Sequence, residues 1–244
     1  MNACQKRSVS CFACCGLANL NLDSDGLRTI LRERTEHFES LNMDFARFPE
    51  YRKNREEKEQ SIARHDPQTY VCPFLGYIEA GRPGCMIHPA RTGQPTSQNY
   101  SFYGASICLS YDCRAKESEE QTGHTSYSDF LESRFPDLYH RLICDSGLFS
   151  LLETIPDFPD SVLEEPEGSQ AVADRSSGAD DLARLVQLRL KHPDSSRITS
   201  FERLMVRSSD AGAAAESLFA GPDVDEALSI LRRLKSLAAG ARNH

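Results

Sequence analysis

Apolar residues keep the helical period at the two ends of the chain and lose it in the middle. From Asp23 or Ser24, either of which can cap a helix, Leu27, Ile30, Leu31 and Phe38 recur near the helical repeat and predict a helix that packs on the cysteine-rich region. The next segment, Glu50 to Arg64, has no apolar stripe. Arg52, Lys53, Arg55, Glu56, Glu57, Lys58 and Glu59 make it charged almost all round, which reads as a solvated helix or a mobile connection. Tyr70 to Ile78 and Tyr100 to Tyr111 are rich in aromatic and β-branched residues and predict two short strands. The turn-forming stretches between them, Gly81-Arg-Pro-Gly84 and Thr92 to Ser97, predict irregular chain.

The helical period returns downstream. Tyr127 to Phe135 and Pro136 to Ile143 read as consecutive helices, with Pro136 at the first position of the second and Phe130, Leu131, Leu138, Leu142 and Ile143 as the buried stripe. Gly147 interrupts the pattern before an apolar patch from Leu148 to Ile155. Pro156 to Asp180 is rich in Pro, Glu, Asp, Ser and Gly and reads as a linker or disordered stretch. Short helices are predicted over Asp181 to Leu190, Ser200 to Arg207, Ala213 to Phe219 and Asp223 to Ala238, with Gly221-Pro222 stopping one and starting the next.

The fold class expected is therefore α+β, mainly α: an irregular cysteine-rich region with short strands, followed by helices. Four parts are expected: a cysteine-rich domain over 1–116, a helical extension packed on it over 117–155, a linker over 156–180, and a small acidic helical region over 181–244. With 244 residues, 39% of them hydrophobic, the chain can bury an ordinary core.

Charge sharpens the division. Residues 1–116 carry 15 basic and 13 acidic side chains, a balance of +2, whereas 117–244 carry 13 and 23, a balance of −10, which together give the net −8. No polybasic footprint remains, so neither nucleic acid nor an anionic membrane is expected as a partner. The acidic C-terminal helices are the candidate surface for a protein partner. No apolar run is long enough for a membrane span or an export signal, which points to the cytoplasm.

The chemistry lies in the cysteines. Eight of the nine fall within the first 113 residues: Cys4, then Cys11-Phe-Ala-Cys14-Cys15-Gly16, Cys72-Pro-Phe-Leu, Gly84-Cys85-Met-Ile-His88-Pro89 and Cys108-Leu-Ser-Tyr-Asp-Cys113. Thiols grouped beside Gly and Pro, in a reducing compartment, read as metal ligands converging from separate loops rather than as a disulfide framework. The candidate ligands are Cys11, Cys14, Cys15, Cys72, Cys85, His88, Cys108 and Cys113. Seven thiols and one histidine are enough for two four-coordinate centres, and one four-thiolate centre with spare cysteines fits equally well. Adjacent Cys14 and Cys15 reach one centre only from a tight turn, which Gly16 eases. An irregular region of this kind would bury little apolar area and draw much of its folding free energy from the metal. Cys144, after Leu142 and Ile143, reads as a buried inert thiol.

The order of these motifs resembles the YkgJ-type cysteine-cluster family over about residues 8 to 91, a family described as a zinc- or iron-chelating domain. Cys11, Cys14 and Cys15 match the last three cysteines of that family's first group, Cys72-Pro-Phe-Leu75 its second motif, and Cys85-Met-Ile87 with Arg91 its third. Ser8, His88, Thr92 and Pro95 stand where the family has Cys, Tyr, Pro and Cys. Cys4, Cys108 or Cys113 would supply the missing ligands. The resemblance implies metal binding more than any reaction.

Together these observations predict a cytoplasmic metal-binding protein that holds an iron–sulfur cluster or zinc. All-thiolate donors with adjacent cysteines lean towards the cluster. The alternatives are an enzyme that uses the metal in redox or group transfer, and an interaction module stapled by zinc. The chain lacks phosphate-cradling, dinucleotide, H-E-x-x-H and G-x-S-x-G signatures, so nothing names a substrate.

Overall fold

The computed structural model describes residues 9–11, 15–64, 67–110, 114–163, 171–192 and 210–241. The predicted helix over Ser200 to Arg207, the candidate ligands Cys14 and Cys113, and Cys4 lie outside these residues. The fold is α+β and mainly helical, with one two-stranded sheet among the described residues. The described chain falls into two compact units, 9–110 and 114–241.

In the first unit, α1 (Ser24–Glu39) starts where the sequence predicts. The Asp23 carboxylate accepts from the Gly26 N–H at 2.8 Å, satisfying one of the donors that a helix start leaves open. Ile30, Leu31 and Phe38 are buried on one face, and so is Arg34. After Asn42 and Met43, both at positive φ, and a 3-10 turn (Phe45–Arg47), α2 spans Phe48–Glu59.

The solvated helix expected from Glu50 to Arg64 is corrected here. Phe48, Tyr51, Arg55 and Glu59 follow the helical repeat and form a buried stripe, apolar in its first half and ionic in its second. Charge alone did not mark this face as wet, because its ions are paired in the interior.

An antiparallel hairpin comes next, β1 (Leu75–Glu79) and β2 (Arg82–Cys85), with Leu75 opposite Cys85, Gly76 opposite Gly84 and Tyr77 opposite Pro83. The irregular chain expected at Gly81–Gly84 is thus largely a strand. Pro83 is tolerated because a two-stranded sheet has only edges. The second predicted strand, Tyr100 to Tyr111, is not one. Beyond α3 (Pro89–Thr92) and a 3-10 turn (Ser97–Tyr100), Gly104–Ser110 forms helix α4.

Helix α1 packs on β1. The core of this unit holds Phe38, Leu41, Phe48, Tyr51, Phe74, Met86 and Ile87, with Leu17, Leu20, Ile30, Leu31, Val71 and Leu75 in an adjoining layer. Each such side chain contributes about 1.5–3 kcal/mol on burial. The expectation that this region buries little apolar surface is overturned: the cysteine groups lie against an aromatic core.

The second unit contains α5 (Arg114–Thr122), α6 (Ser126–Arg134), α7 (Tyr139–Leu142), α8 (Ser146–Leu152), α9 (Asp160–Leu163), α10 (Ala171–Lys191), α11 (Ala211–Leu218) and α12 (Pro222–Ala241). Pro136 opens a 3-10 turn before α7, and Pro222 opens α12, as predicted. Gly147 does not break a helix but lies buried in the first turn of α8, capped by Asp145. Helical segments α9 and the start of α10 occupy much of the stretch expected to be a linker over 156–180. Helices α10 and α12 pack together and on α9, and α11 packs on α8 and α12. The parts expected separately at 117–155 and 181–244 therefore share one unit, and the expected boundary at 116 falls inside α5.

Candidate metal centre

Cys72 lies in the core of the first unit, and Cys15 and Cys85 pack against it. Cys15 precedes the 3-10 turn Leu17–Asn19, Cys72 lies in the loop before β1, Cys85 ends β2 and Cys108 sits on α4. Cys72 is buried, while Cys15, Cys85 and Cys108 are half-buried. None of the described cysteines is joined in a disulfide.

Backbone contacts bring these elements together. The Cys72 N–H donates to the Cys15 carbonyl at 2.8 Å, and the Met86 N–H to the Phe74 carbonyl at 2.8 Å. Polar side chains from the Ser97–Tyr100 turn and the chain after it reach the sulfurs. Gln98 Nε2 lies 3.9 Å from Cys85 Sγ, and Ser101 Oγ lies 3.5 Å from Cys108 Sγ. Burial pushes the Cys72 thiol up from its ordinary value, and Cys85 pushes it further. The Phe74 backbone N–H and the Arg34 charge act against this, and Cys108 adds to the rise. Cys85 and Cys108 are thus each within electrostatic reach of Cys72.

Gly16 sets the approach of Cys15 to Cys72. Its φ of 69° is left-handed, and a Cβ placed there would lie 2.2 Å from the Tyr70 carbonyl oxygen. Replacing Gly16 by alanine is expected to cost about 2–4 kcal/mol of stability, through backbone strain and displacement of the Tyr70–Cys72 segment. Urea unfolding of the variant beside the parent checks this.

Beneath Cys72 lies an ionic network that sequence reasoning missed. Arg34, wholly buried, donates through Nε to Glu59 Oε1 at 3.0 Å and pairs through Nη2 with Glu59 Oε2. Its Nη1 donates to the Cys72 carbonyl at 3.1 Å and the Leu75 carbonyl at 3.4 Å. Arg55, also buried, donates to Glu59 Oε1 through Nε at 2.9 Å and Nη2 at 2.6 Å. Its Nη1 reaches Glu33 Oε2 at 3.3 Å, where Lys58 Nζ also donates at 2.6 Å.

Burial alone would raise Glu59, but hydrogen bonds and charges from Arg34 and Arg55 hold its carboxyl below the ordinary value. His37, whose ring is tilted against Tyr51 with centroids 4.8 Å apart, is held below its ordinary value by burial and then by Arg55, Lys58 and Arg47. The only sequence signal for this network was an arginine on the apolar face of α1. Gln98 and Ser101 carried no signal at all.

Cys11 is half-buried. His88 is exposed and caps α3, its Nδ1 accepting from the Ala90 N–H at 3.1 Å, so that Nε2 is the nitrogen left to offer a metal. Outside the set, half-buried Cys144 donates to the His140 carbonyl at 3.2 Å. Among the described residues, no three His, Cys, Asp or Glu side chains are gathered closely enough to hold a metal ion. Cys72 lies in the aromatic core with Cys15 and Cys85 packed against it, and the 12–14 stretch that holds Cys14 is outside the described residues.

Comparison with known proteins returns no match to a family model, to a curated protein or to a solved structure. No helix among the described residues is long and apolar enough to cross a membrane.

Proposed function

We propose that the N-terminal unit binds a thiophilic metal, as zinc or an iron–sulfur cluster, in the reducing cytoplasm. Cys15, Cys72, Cys85 and Cys108 are its central candidate ligands, and the first cysteine group completes the donor set. The observation that supports this reading is that Cys72 lies in the aromatic core with Cys15 and Cys85 packed against it, three thiols from three different elements. A bound metal would supply the positive charge that lets buried thiols give up their protons.

Elemental analysis and absorption of freshly purified protein test the proposal. Stoichiometric zinc in a colourless protein, or iron with sulfide in a brown one, is the expected result, and Cys72→Ser or Cys108→Ser should lower that content at least severalfold. Loading should release protons and weaken as pH falls, since protons compete with the metal for raised thiols. A folded parent protein that takes up neither zinc nor iron would overturn the reading.

A further inference from the structure

Two of the cysteines are neighbours through their own backbones. The Cys72 N–H donates to the carbonyl of Cys15 at 2.8 Å. With ordinary bond lengths and a trigonal carbonyl carbon, this contact holds the two Cα atoms no more than about 6.7 Å apart. A disulfide bridges Cα atoms about 4.4–6.8 Å apart, so the pair lies within its reach. A second observation gives the same proximity. A Cβ placed at Gly16 would lie 2.2 Å from the Tyr70 carbonyl oxygen and 3.3 Å from Val71 Cα, so the chain just after Cys15 presses on the chain just before Cys72. The side chains also share a direction, since Cys72 belongs to the aromatic cluster and Cys15 packs against that cluster. Cys85 packs there too, but its backbone stands opposite Leu75 rather than Cys72. Access differs between the two neighbours: Cys15 is half-buried and Cys72 is buried.

We propose that Cys15 and Cys72 are a reversible disulfide site, closed by a peroxide and reopened by a thiol reductant. The proposal stands on backbone geometry and needs no metal. Cys15 is the sulfur that solvent reaches, so it reacts first: the peroxide O–O bond breaks, one oxygen stays on sulfur as a sulfenic acid and the other leaves as water. The Cys72 sulfur then attacks the Cys15 sulfur, and the hydroxyl departs with the Cys72 proton as a second water. Two thiols and one hydrogen peroxide thus give one disulfide and two waters, with two electrons passing from sulfur to peroxide. The new bond closes a loop that contains both α1 and α2, so it restricts the unfolded chain and stabilises the N-terminal unit.

The full chain, reduced, freed of metal by a chelator and treated with hydrogen peroxide, tests the proposal. After the remaining thiols are alkylated, mass spectrometry of proteolytic fragments should find Cys15 joined to Cys72, and dithiothreitol should separate them. Cys15→Ser and Cys72→Ser should each abolish the link, whereas Cys14→Ser and Cys85→Ser should form it at a rate within a few-fold of the parent. The oxidised parent should unfold at a higher urea concentration than the reduced one, a shift that dithiothreitol reverses. No such link in the folded parent, a link to the Cys72 fragment that survives in Cys15→Ser, or a lower urea midpoint after oxidation would each overturn the inference. Should a variant fail to fold, the fragments of the parent decide. Because the protein is tested without metal, failure of the parent to take up zinc or iron is a separate result.

Discussion

Glu59→Gln should lower the stability of the N-terminal unit by about 3–5 kcal/mol at neutral pH, although the two side chains have nearly the same shape. Glu59 is the carboxylate shared by Arg34 and Arg55. Its loss leaves two buried guanidiniums facing a neutral amide, and breaking a buried pair by removing one partner costs that much because the other charge stays desolvated. The effect has a pH signature. Glu59 is held below its ordinary value of 4.5, so its contribution is fully present above that value and is lost as pH falls through the lower folded pKa. Urea unfolding of metal-free parent and variant should show a wide gap at pH 7 that narrows only below about 4.5. A gap of constant width down to pH 3 would show that packing, not charge, explains the loss.

Asp145→Ala should destabilise the second unit by a similar amount, about 3–5 kcal/mol from the ion pair and about 1 kcal/mol from a lost helix cap. Asp145 Oδ2 lies 2.8 Å from Arg189 Nε with both side chains buried, and its Oδ1 accepts from the Leu148 N–H at 3.0 Å. The carboxylate thus joins the start of α8 to the end of α10. Asp145→Asn keeps an acceptor for the cap but not the charge, and should lose slightly less. Adding Arg189→Met to Asp145→Ala should recover part of the stability, because the stranded cation is then gone. Thermal unfolding of the four proteins separates these contributions, and a double variant no better than the single one would remove the ion pair from the explanation.

How much could be read in advance depended on the range of the interactions. Helix α1 was legible because its cap, Asp23, and its apolar repeat are local. Pro136 and Pro222 marked helix starts for the same reason. Helix α2 was misread because the partners of Arg55 and Glu59 lie on α1, and a single segment cannot show that its charges neutralise those of another. The hairpin was half visible. Leu75 to Ile78 carries strand-like residues, but Arg82-Pro-Gly-Cys85 looks like a turn until Leu75 and its neighbours pair with it. The aromatic run before Cys108 looked like a strand, yet Gly104, with φ of 75°, redirects the chain into a short helix.

The cysteines themselves were legible as a group, since their spacing beside Gly and Pro is a local pattern. What surrounds them was not. Phe38, Phe48 and Phe74 meet edge to face or tilted, with ring centroids 5.0 to 6.2 Å apart, and come from α1, α2 and the loop before β1. Only the assembled fold shows that Cys15, Cys72 and Cys85 lean on this wall.

The bond between Cys15 and Cys72 also fixes when these two segments can meet. Cys72 comes after α1 and α2 in the chain, so a ribosome must deliver both helices before the second sulfur emerges, and Cys85 and Cys108 come later still. An ion meeting the nascent chain early finds only the opening cysteine group, with no hairpin and no Arg34 contact to hold it. On the metal-binding proposal, loading would then be a task for the finished unit, and metal starvation would leave a folded, empty acceptor.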